Sequence, residues 1–294
     1  MEEMQNQYDN LMQEQNYRSI DDFEGYSPME MHSLLYDAFG EDSPIQLQKL
    51  NADDYAEIPI LNLVRYITDL IAEAGELKLT NRGFLPTRVV AEVYHQGFLR
   101  EGFVEYRRRK ALREIDVKSV HLGRILGEIS GIVKKRYNKL SMTKKGEKIT
   151  TDNFSLLKHL LKVYCTKFNW AYLDGFGDDR IGQVGFGFSL VLLSKYGDKK
   201  RIDTFYSEKY FKAFPKLIMY IREPRYETIE RHVSRCYSLR TFDRFMYYFG
   251  LIKIEQEKVF DSDKLIEKTK IFDRFITCRP HFPWSYAMRG DVLN

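Results

Sequence analysis

Two stretches of the sequence nearly repeat one another: GELKLTNRGFL (Gly75 to Leu85) and YNKLSMTKKGEKI (Tyr137 to Ile149). Each contains a leucine, a threonine two or three residues later, two polar or basic residues and then a glycine. Each also follows an apolar stretch with helical spacing. The threonine can cap a following helix, and the glycine permits a tight exit from a strand.

A helix that ends at glycine, followed by a strand, a polar turn and a second strand, is typical of a winged helix, whose two strands form the wing. A weaker third copy ends in LIKIE (Leu251 to Glu255) and lacks the Thr-x-x-Gly exit. KLIEKTKIFDRFI is a candidate for its partner strand. We therefore predict a mainly α, α+β protein with tandem winged-helix-like modules around a helical middle module. The predicted segments are a disordered head (1–16), a first module with an acidic N-terminal arm (17–97), a second, basic module (98–152), the helical middle (153–222) and a C-terminal module (223–294).

Four stretches also resemble a family of uncharacterised bacterial proteins: SPMEMHSLLYDAF, GELKLTNRGFLPTRVV, FNWAYLDGF and FYSEKYFKAFP. That family is similar to the winged-helix-like regions of proteins that sometimes carry a SEC-C zinc motif. The resemblance covers roughly Ser27 to Pro215 and supports architecture, since the family supplies no established activity or catalytic residue. The sequence lacks the closely spaced Cys/His cluster of the SEC-C motif, so the resemblance implies no zinc site.

The net charge of +4 hides an uneven distribution. Residues 1–57 carry 14 acidic residues against only Arg18 and Lys49, whereas residues 101–150 carry 14 Lys/Arg against 6 Asp/Glu. This division favours an anionic partner for the basic half or an acidic arm that folds back over it. The alternative is two solvated faces whose charges interact weakly because salt screens them.

Nucleic acid is the anionic partner that a winged helix commonly takes, with one helix in the major groove and basic wing residues on phosphates. In the second module this predicts that the helix from Val117 to Ser130 lies at the groove. A solvated basic face on a module used for packing or dimerisation is the alternative. The predicted nucleic-acid-binding residues are Arg107, Arg108, Arg109, Arg124, Lys134, Lys135, Arg136, Lys144, Lys145, Arg240 and Arg244.

The leading hypothesis is a non-enzymatic, DNA-binding or DNA-associated bacterial cytoplasmic protein, with double-stranded DNA as the expected partner. The alternative is a scaffold whose modules bind a protein partner. An enzyme with a site in the loop from Gly175 to Gly187 is a third class, and a concave pocket with converging carboxylates would distinguish it.

Other chemistry finds little support in the sequence. GQVGFG (Gly182 to Gly187) has its glycines in the wrong order for a phosphate-binding loop. The three cysteines and six histidines are scattered, which predicts no metal, cofactor or catalytic residue and fits a reducing cytoplasm. No apolar run approaches the length of a membrane span, and the polar N-terminus is unlike a secretory signal.

Overall fold

The computed structural model describes residues 1–107, 111–219, 221–257 and 262–281. These residues are mainly α-helical with α+β character, which confirms the predicted fold class. The chain divides into two compact units. The central unit is Lys49–Asn169 with Tyr248–Gly250, and the flanking unit comprises Met1–Gln48, Trp170–Tyr247 and Leu251–Asn294. Among the described residues, no helix has the length and apolar character needed to cross a lipid bilayer.

The elements are numbered in chain order. The helices are α1 (Glu2–Tyr17), α2 (Pro28–Tyr36), α3 (Ala52–Ala56), α4 (Pro59–Ala74), α5 (Thr87–His95), α6 (Gly102–Arg107), α7 (Lys118–Ile129), α8 (Lys144–Ile149), α9 (Asn153–Thr166), α10 (Phe186–Tyr196), α11 (Asp203–Ala213), α12 (Ile229–Ser238) and α13 (Lys270–Phe275). The strands are β1 (Ile45–Leu47), β2 (Leu77–Lys78), β3 (Val133–Arg136), β4 (Lys139–Met142), β5 (Arg201–Ile202), β6 (Ile252–Gln256), β7 (Lys264–Lys268) and β8 (Ile276–Cys278).

The two motif stretches contribute to one sheet of the central unit. Strand β2, from the first stretch, pairs antiparallel with β4, from the second, and β4 pairs with β3. This differs from the prediction of one wing for each stretch. The two threonines also act differently: the Thr80 hydroxyl accepts from the Phe84 amide within a turn, whereas the Thr143 hydroxyl accepts from the Gly146 amide and caps α8.

The flanking unit has the same order of elements as the central unit: a helix, a short strand, further helices and a β-hairpin. Its helix α10 leads to the two-residue strand β5, then to α11, to α12 and to the antiparallel pair β6 and β7. As in the central unit, the short strand pairs with the second strand of the hairpin. The strand order is β5-β7-β6 in the flanking sheet and β2-β4-β3 in the central sheet. The pairing of β6 with β7 confirms the predicted partner strand. Separately, β1 pairs with β8 within the flanking unit.

Helix α12 continues directly into a π-helical segment, Leu239–Met246. One local prediction differs from the structure. The predicted disordered head forms helix α1, whose sequence contains no glycine or proline and is rich in the helix formers Glu, Gln and Met.

The core of the central unit places α7 close against α4. A Cβ atom added at Gly123 of α7 would lie 2.9 Å from Ile67 Cδ1 and 3.0 Å from Leu63 Cγ, so a larger residue there would require these side chains to shift. Leu63, Ile67 and Ile71 of α4 are buried. Helix α7 is consequently buried along most of its length.

Candidate nucleic-acid interface

A two-residue turn forms the tip of the β3–β4 hairpin. Arg136 and Lys139 are register partners, so Tyr137 and Asn138 alone connect the strands. Both residues have positive φ, 48° and 55°, which is the backbone of the type I′ hairpin turn. The sequence predicted this turn and both strands, and the structure confirms them.

The strand register collects basic side chains on one face of the sheet. Lys78 of β2 lies opposite Lys139 of β4, which in turn lies opposite Arg136 of β3. We call these three residues the basic row. Lys134 lies two residues before Arg136 and therefore on the same face, since side chains alternate along a strand. The basic row and Lys134 together form the basic sheet face, and all four side chains are exposed.

This arrangement concentrates like charge. Directly opposite residues in a sheet have Cβ atoms about 4.5–5.5 Å apart, and like charges there are destabilising. Lys139 forms an ion pair with Glu76, whose Oε2 lies 2.6 Å from Nζ, and both side chains are about half exposed. For Lys78, Lys134 and Arg136, the described part of the chain contains no ion pair with a carboxylate. The face thus has a positive field that the protein itself neutralises only in part.

The remaining predicted residues of this region occupy different positions. Lys135 lies on the opposite face from Arg136 and donates from Nζ to the Gly83 carbonyl at 3.3 Å. Lys144 and Lys145 are exposed in the first turn of α8, directly after β4.

The structure does not support the predicted groove position of α7. Gly123, Leu126 and Gly127 are buried with most of the helix, while Lys118 and Ile129, at its two ends, are exposed. A helix packed in this way has no free face to lay in a major groove. Burial against α4 is the physical reason.

Arg124 on this helix belongs to a buried ion cluster rather than to the surface. Its Nε donates to Glu114 Oε1 at 2.6 Å, and its Nη1 donates to Glu128. His121 Nδ1 lies 2.6 Å from the same Glu114 oxygen, and the Leu85 amide donates to Glu114 as well. Burial acts to raise the pKa of Glu114, but the hydrogen bonds from His121, Leu85 and Arg124 outweigh it, so the pKa lies below its usual value. The predicted phosphate contact of Arg124 is replaced by this structural role.

The two predicted arginines of the flanking unit also form hydrogen bonds within the fold. Arg240 is fully buried, with Nε 2.6 Å from Asp174 Oδ2, and Nη1 donates to the Ile181 carbonyl. Arg244 donates to three backbone carbonyls, those of Trp170, Tyr172 and Leu173. Both arginines therefore fix the loop that precedes α10, and neither guanidinium belongs to a basic surface. Arg107 ends helix α6, while Arg108 and Arg109 lie outside the described residues.

The flanking unit contains a cavity of about 870 Å³, lined in part by Phe176 from the loop that the enzyme hypothesis singled out. Four polar side chains of its wall form one hydrogen-bonded chain. Ser238 Oγ donates to Asp203 Oδ2 at 2.5 Å, and Lys264 Nζ donates to Ser238 Oγ at 3.2 Å and to Asp243 Oδ2 at 2.5 Å.

The polar groups of this chain bond to one another. Burial raises the pKa of Asp243, although the Lys264 ammonium acts in the opposite direction. Among the described residues, no group of three His, Cys, Asp or Glu side chains has a geometry that could hold a metal ion. These hydrogen bonds tie β7 to α11 and to the π-helical segment. The wall also contains other carboxylates, among them Glu208 and Glu230, so the enzyme hypothesis stays a prediction.

Sequence reasoning missed one member of the basic sheet face, Lys78, as a binding candidate. Only the pairing of β2 with β4 places it beside Lys139, which lies in the predicted second wing. No family model, curated protein or solved structure matches the chain. The predicted family resemblance therefore stays a prediction.

Proposed function

We propose that the central unit is a winged-helix-like module that binds the sugar–phosphate backbone of DNA through its basic sheet face. The observation that carries this proposal is the basic row, in which Lys78, Lys139 and Arg136 are neighbours across three strands. Lys144 and Lys145 would extend the contact.

The order of elements supports the winged-helix interpretation. Helix α4, the short strand β2, helices α5 and α7 and the β3–β4 hairpin follow one another, and β2 closes the sheet against β4. The hairpin would be the wing of such a module. Since α7 is buried, the hairpin and its sheet, rather than a helix in the groove, would supply the contacts.

The energetics of the sheet support an anionic ligand. Side-by-side like charges destabilise a sheet, and phosphates placed between them would remove that repulsion. Lysine and arginine at an exposed face can each neutralise a phosphate and release its condensed counterions. Contacts of this kind position a protein on DNA and carry little sequence information. We therefore expect binding that depends steeply on salt and weakly on sequence.

Fluorescence anisotropy with a mixed-sequence duplex, measured over a series of salt concentrations, tests the proposal. The variant Lys78→Gln/Lys134→Gln/Arg136→Gln removes three charges without creating an acidic surface. The slope of log K against log salt should become shallower by about 0.9 for each phosphate that the variant no longer neutralises. Affinity at low salt should fall with it.

A matched control carries Lys199→Gln, Lys216→Gln and Lys253→Gln, three exposed lysines of the flanking unit. It changes the net charge by the same amount and should retain the wild-type salt slope. An equal loss in both variants would show that net charge alone attracts the duplex, and the basic sheet face would lose its role. Absence of binding by folded wild-type protein at low salt would overturn the proposed function and direct the search to a protein partner.

A further inference from the structure

Tyr137 occupies an unusual position at the tip of the β3–β4 hairpin. It is the first residue of the two-residue turn and has φ of 48°. Asparagine, aspartate and glycine are the residues that adopt positive φ readily, and a bulky aromatic side chain there is a conformational outlier. The neighbouring Asn138 follows the preference, and Tyr137 does not.

The ring of Tyr137 contributes little to the packing of the fold. The residue is 91% exposed. Its closest described cation is Arg136, whose guanidinium carbon lies 5.9 Å from the ring centroid, near the limit of a cation–π contact. A strained backbone that holds an exposed ring is a feature that occurs at binding sites, where the strain serves the contact.

The surroundings of the ring indicate what it can contact. Arg136 and Lys139 flank the turn directly, and Lys134 follows along β3 on the same face. An aromatic ring set among cations that track a phosphate backbone is the usual arrangement in proteins that bind single-stranded nucleic acid. In a duplex the faces of the bases are already stacked on one another, so a ring at a hairpin tip finds a free face only on an unpaired base.

We propose that Tyr137 stacks on an unpaired base of single-stranded DNA while the basic sheet face holds the adjoining phosphates. This inference rests on the proposed function and adds the class of ligand to it. Stacking on an aromatic side chain contributes to affinity with little sequence preference, because every base offers a π face. Loss of the ring should weaken binding of single strands roughly 5- to 100-fold.

The test compares two oligonucleotides of equal length and charge, oligo-dT and an abasic strand, by fluorescence anisotropy. Tyr137→Asn removes the ring and installs a residue that favours the turn, so its thermal unfolding temperature should be no lower than that of the wild type. We expect this variant to lose at least fivefold in affinity for oligo-dT and far less for the abasic strand. Tyr137→Phe keeps the ring and should bind oligo-dT like the wild type.

Three results would overturn the inference. They are unchanged binding of oligo-dT by Tyr137→Asn, an equal loss on both oligonucleotides, and a loss in Tyr137→Phe as large as in Tyr137→Asn. The third would assign the contact to the hydroxyl group rather than to the ring.

The proposed function fails in a different way. If Lys78→Gln/Lys134→Gln/Arg136→Gln binds the abasic strand and the duplex as tightly as the wild type does, the basic sheet face has no role. If that variant loses both ligands while Tyr137→Asn still binds oligo-dT fully, only the inference about Tyr137 is overturned.

Discussion

The central and flanking units share an order of elements but differ in the charge of their three-stranded sheets. Where the central unit has the basic row, the matching row of the flanking unit consists of Ile202, Leu265 and Glu255. The geometry is the same in both rows: the second residue of a short strand, a residue of the second hairpin strand and a residue of the first.

Charges in the flanking sheet are also balanced locally. Lys253 lies directly opposite Glu267, and Lys200 Nζ lies 2.6 Å from Glu255 Oε1. Opposite charges in register stabilise a sheet, whereas the basic row does the reverse. Among the described residues, the two sheets thus share an order of strands but differ in charge, and the row of like charge lies in the central sheet.

A second comparison concerns a buried arginine in each unit. Arg124 lies on α7 and Arg240 on the π-helical segment, and each of these helical elements precedes the hairpin of its sheet. Each arginine pairs with a carboxylate from an upstream connection, Glu114 and Asp174 respectively. In this respect the units agree, which indicates that these arginines serve the frame that both share.

The largest expected effect comes from breaking the cluster around Glu114. Glu114→Gln removes the charge that His121 and Arg124 face and should lower the free energy of unfolding by about 3 kcal/mol, since it leaves a buried cation with only part of its partners. Urea denaturation near neutral pH measures the change. Glu147→Gln, an exposed glutamate of α8, is the control and should change stability by less than about 0.5 kcal/mol.

The pH dependence of stability checks whether the charge of Glu114 causes this loss. Because the folded-state pKa of Glu114 lies below its ordinary value of 4.5, its stabilisation is present above that value and is lost as the pH falls through the folded-state pKa. The difference between wild type and Glu114→Gln should therefore narrow as the pH falls from about 5 to about 3. A difference that stays constant over this range would show that packing, not charge, explains the loss.

Much of the frame followed from local sequence rules. The position of α7, the strand–turn–strand order of β3 and β4 and the β6–β7 pair could be predicted because apolar spacing, turn residues and terminal glycines act over a few residues. The contribution of both motif stretches to one sheet could not be predicted from such local rules. Thr80 and Thr143 have similar neighbours, yet one closes a turn and the other caps a helix, and only the long-range pairing of β2 with β4 separates them.

The true counterpart of Thr143 is Thr269, which the Thr-x-x-Gly pattern passes over because Phe272 stands where the glycine is expected. The Thr269 hydroxyl accepts from the Phe272 amide at 3.3 Å and caps α13 directly after β7. The candidate binding residues were equally hard to predict from local sequence. Arg124 and Arg240 were predicted at a surface because charge alone does not reveal burial, while Lys78 could be placed beside Lys139 only from the strand register.

An effect of intermediate size tests whether Thr143 and Thr269, the helix N-caps that follow the two hairpins, contribute equally to stability. Thr143→Ala and Thr269→Ala should each lower the free energy of unfolding by about 1 kcal/mol, the usual cost of losing a helix N-cap. Chemical denaturation of the two variants gives the comparison, and Thr→Ser at each position, which keeps the hydroxyl, should restore most of the loss. A cost at Thr143 with none at Thr269 would show that the repeated order of elements is not matched by repeated energetics.

The smallest expected change in the free energy of unfolding concerns the difference in charge between the two sheets. Arg136→Glu makes the central row resemble the flanking one by placing a carboxylate opposite Lys139. Without DNA, the free energy of unfolding should rise by about 0.2–1 kcal/mol, because an attractive pair replaces a repulsive one. Added salt should reduce this gain, since screening weakens exposed charge interactions. Affinity for duplex DNA should fall in the same variant.

Stability and binding should thus move in opposite directions at Arg136, which distinguishes a missing phosphate contact from a damaged fold. The mirror change, Glu255→Arg in the flanking sheet, removes the pair with Lys200 and should lower stability by at most about 1 kcal/mol. If Arg136→Glu instead lowered stability and affinity together, its weaker binding would follow from a damaged sheet. The basic row would then be a tolerated surface feature, and the contrast between the two units would carry no information about function.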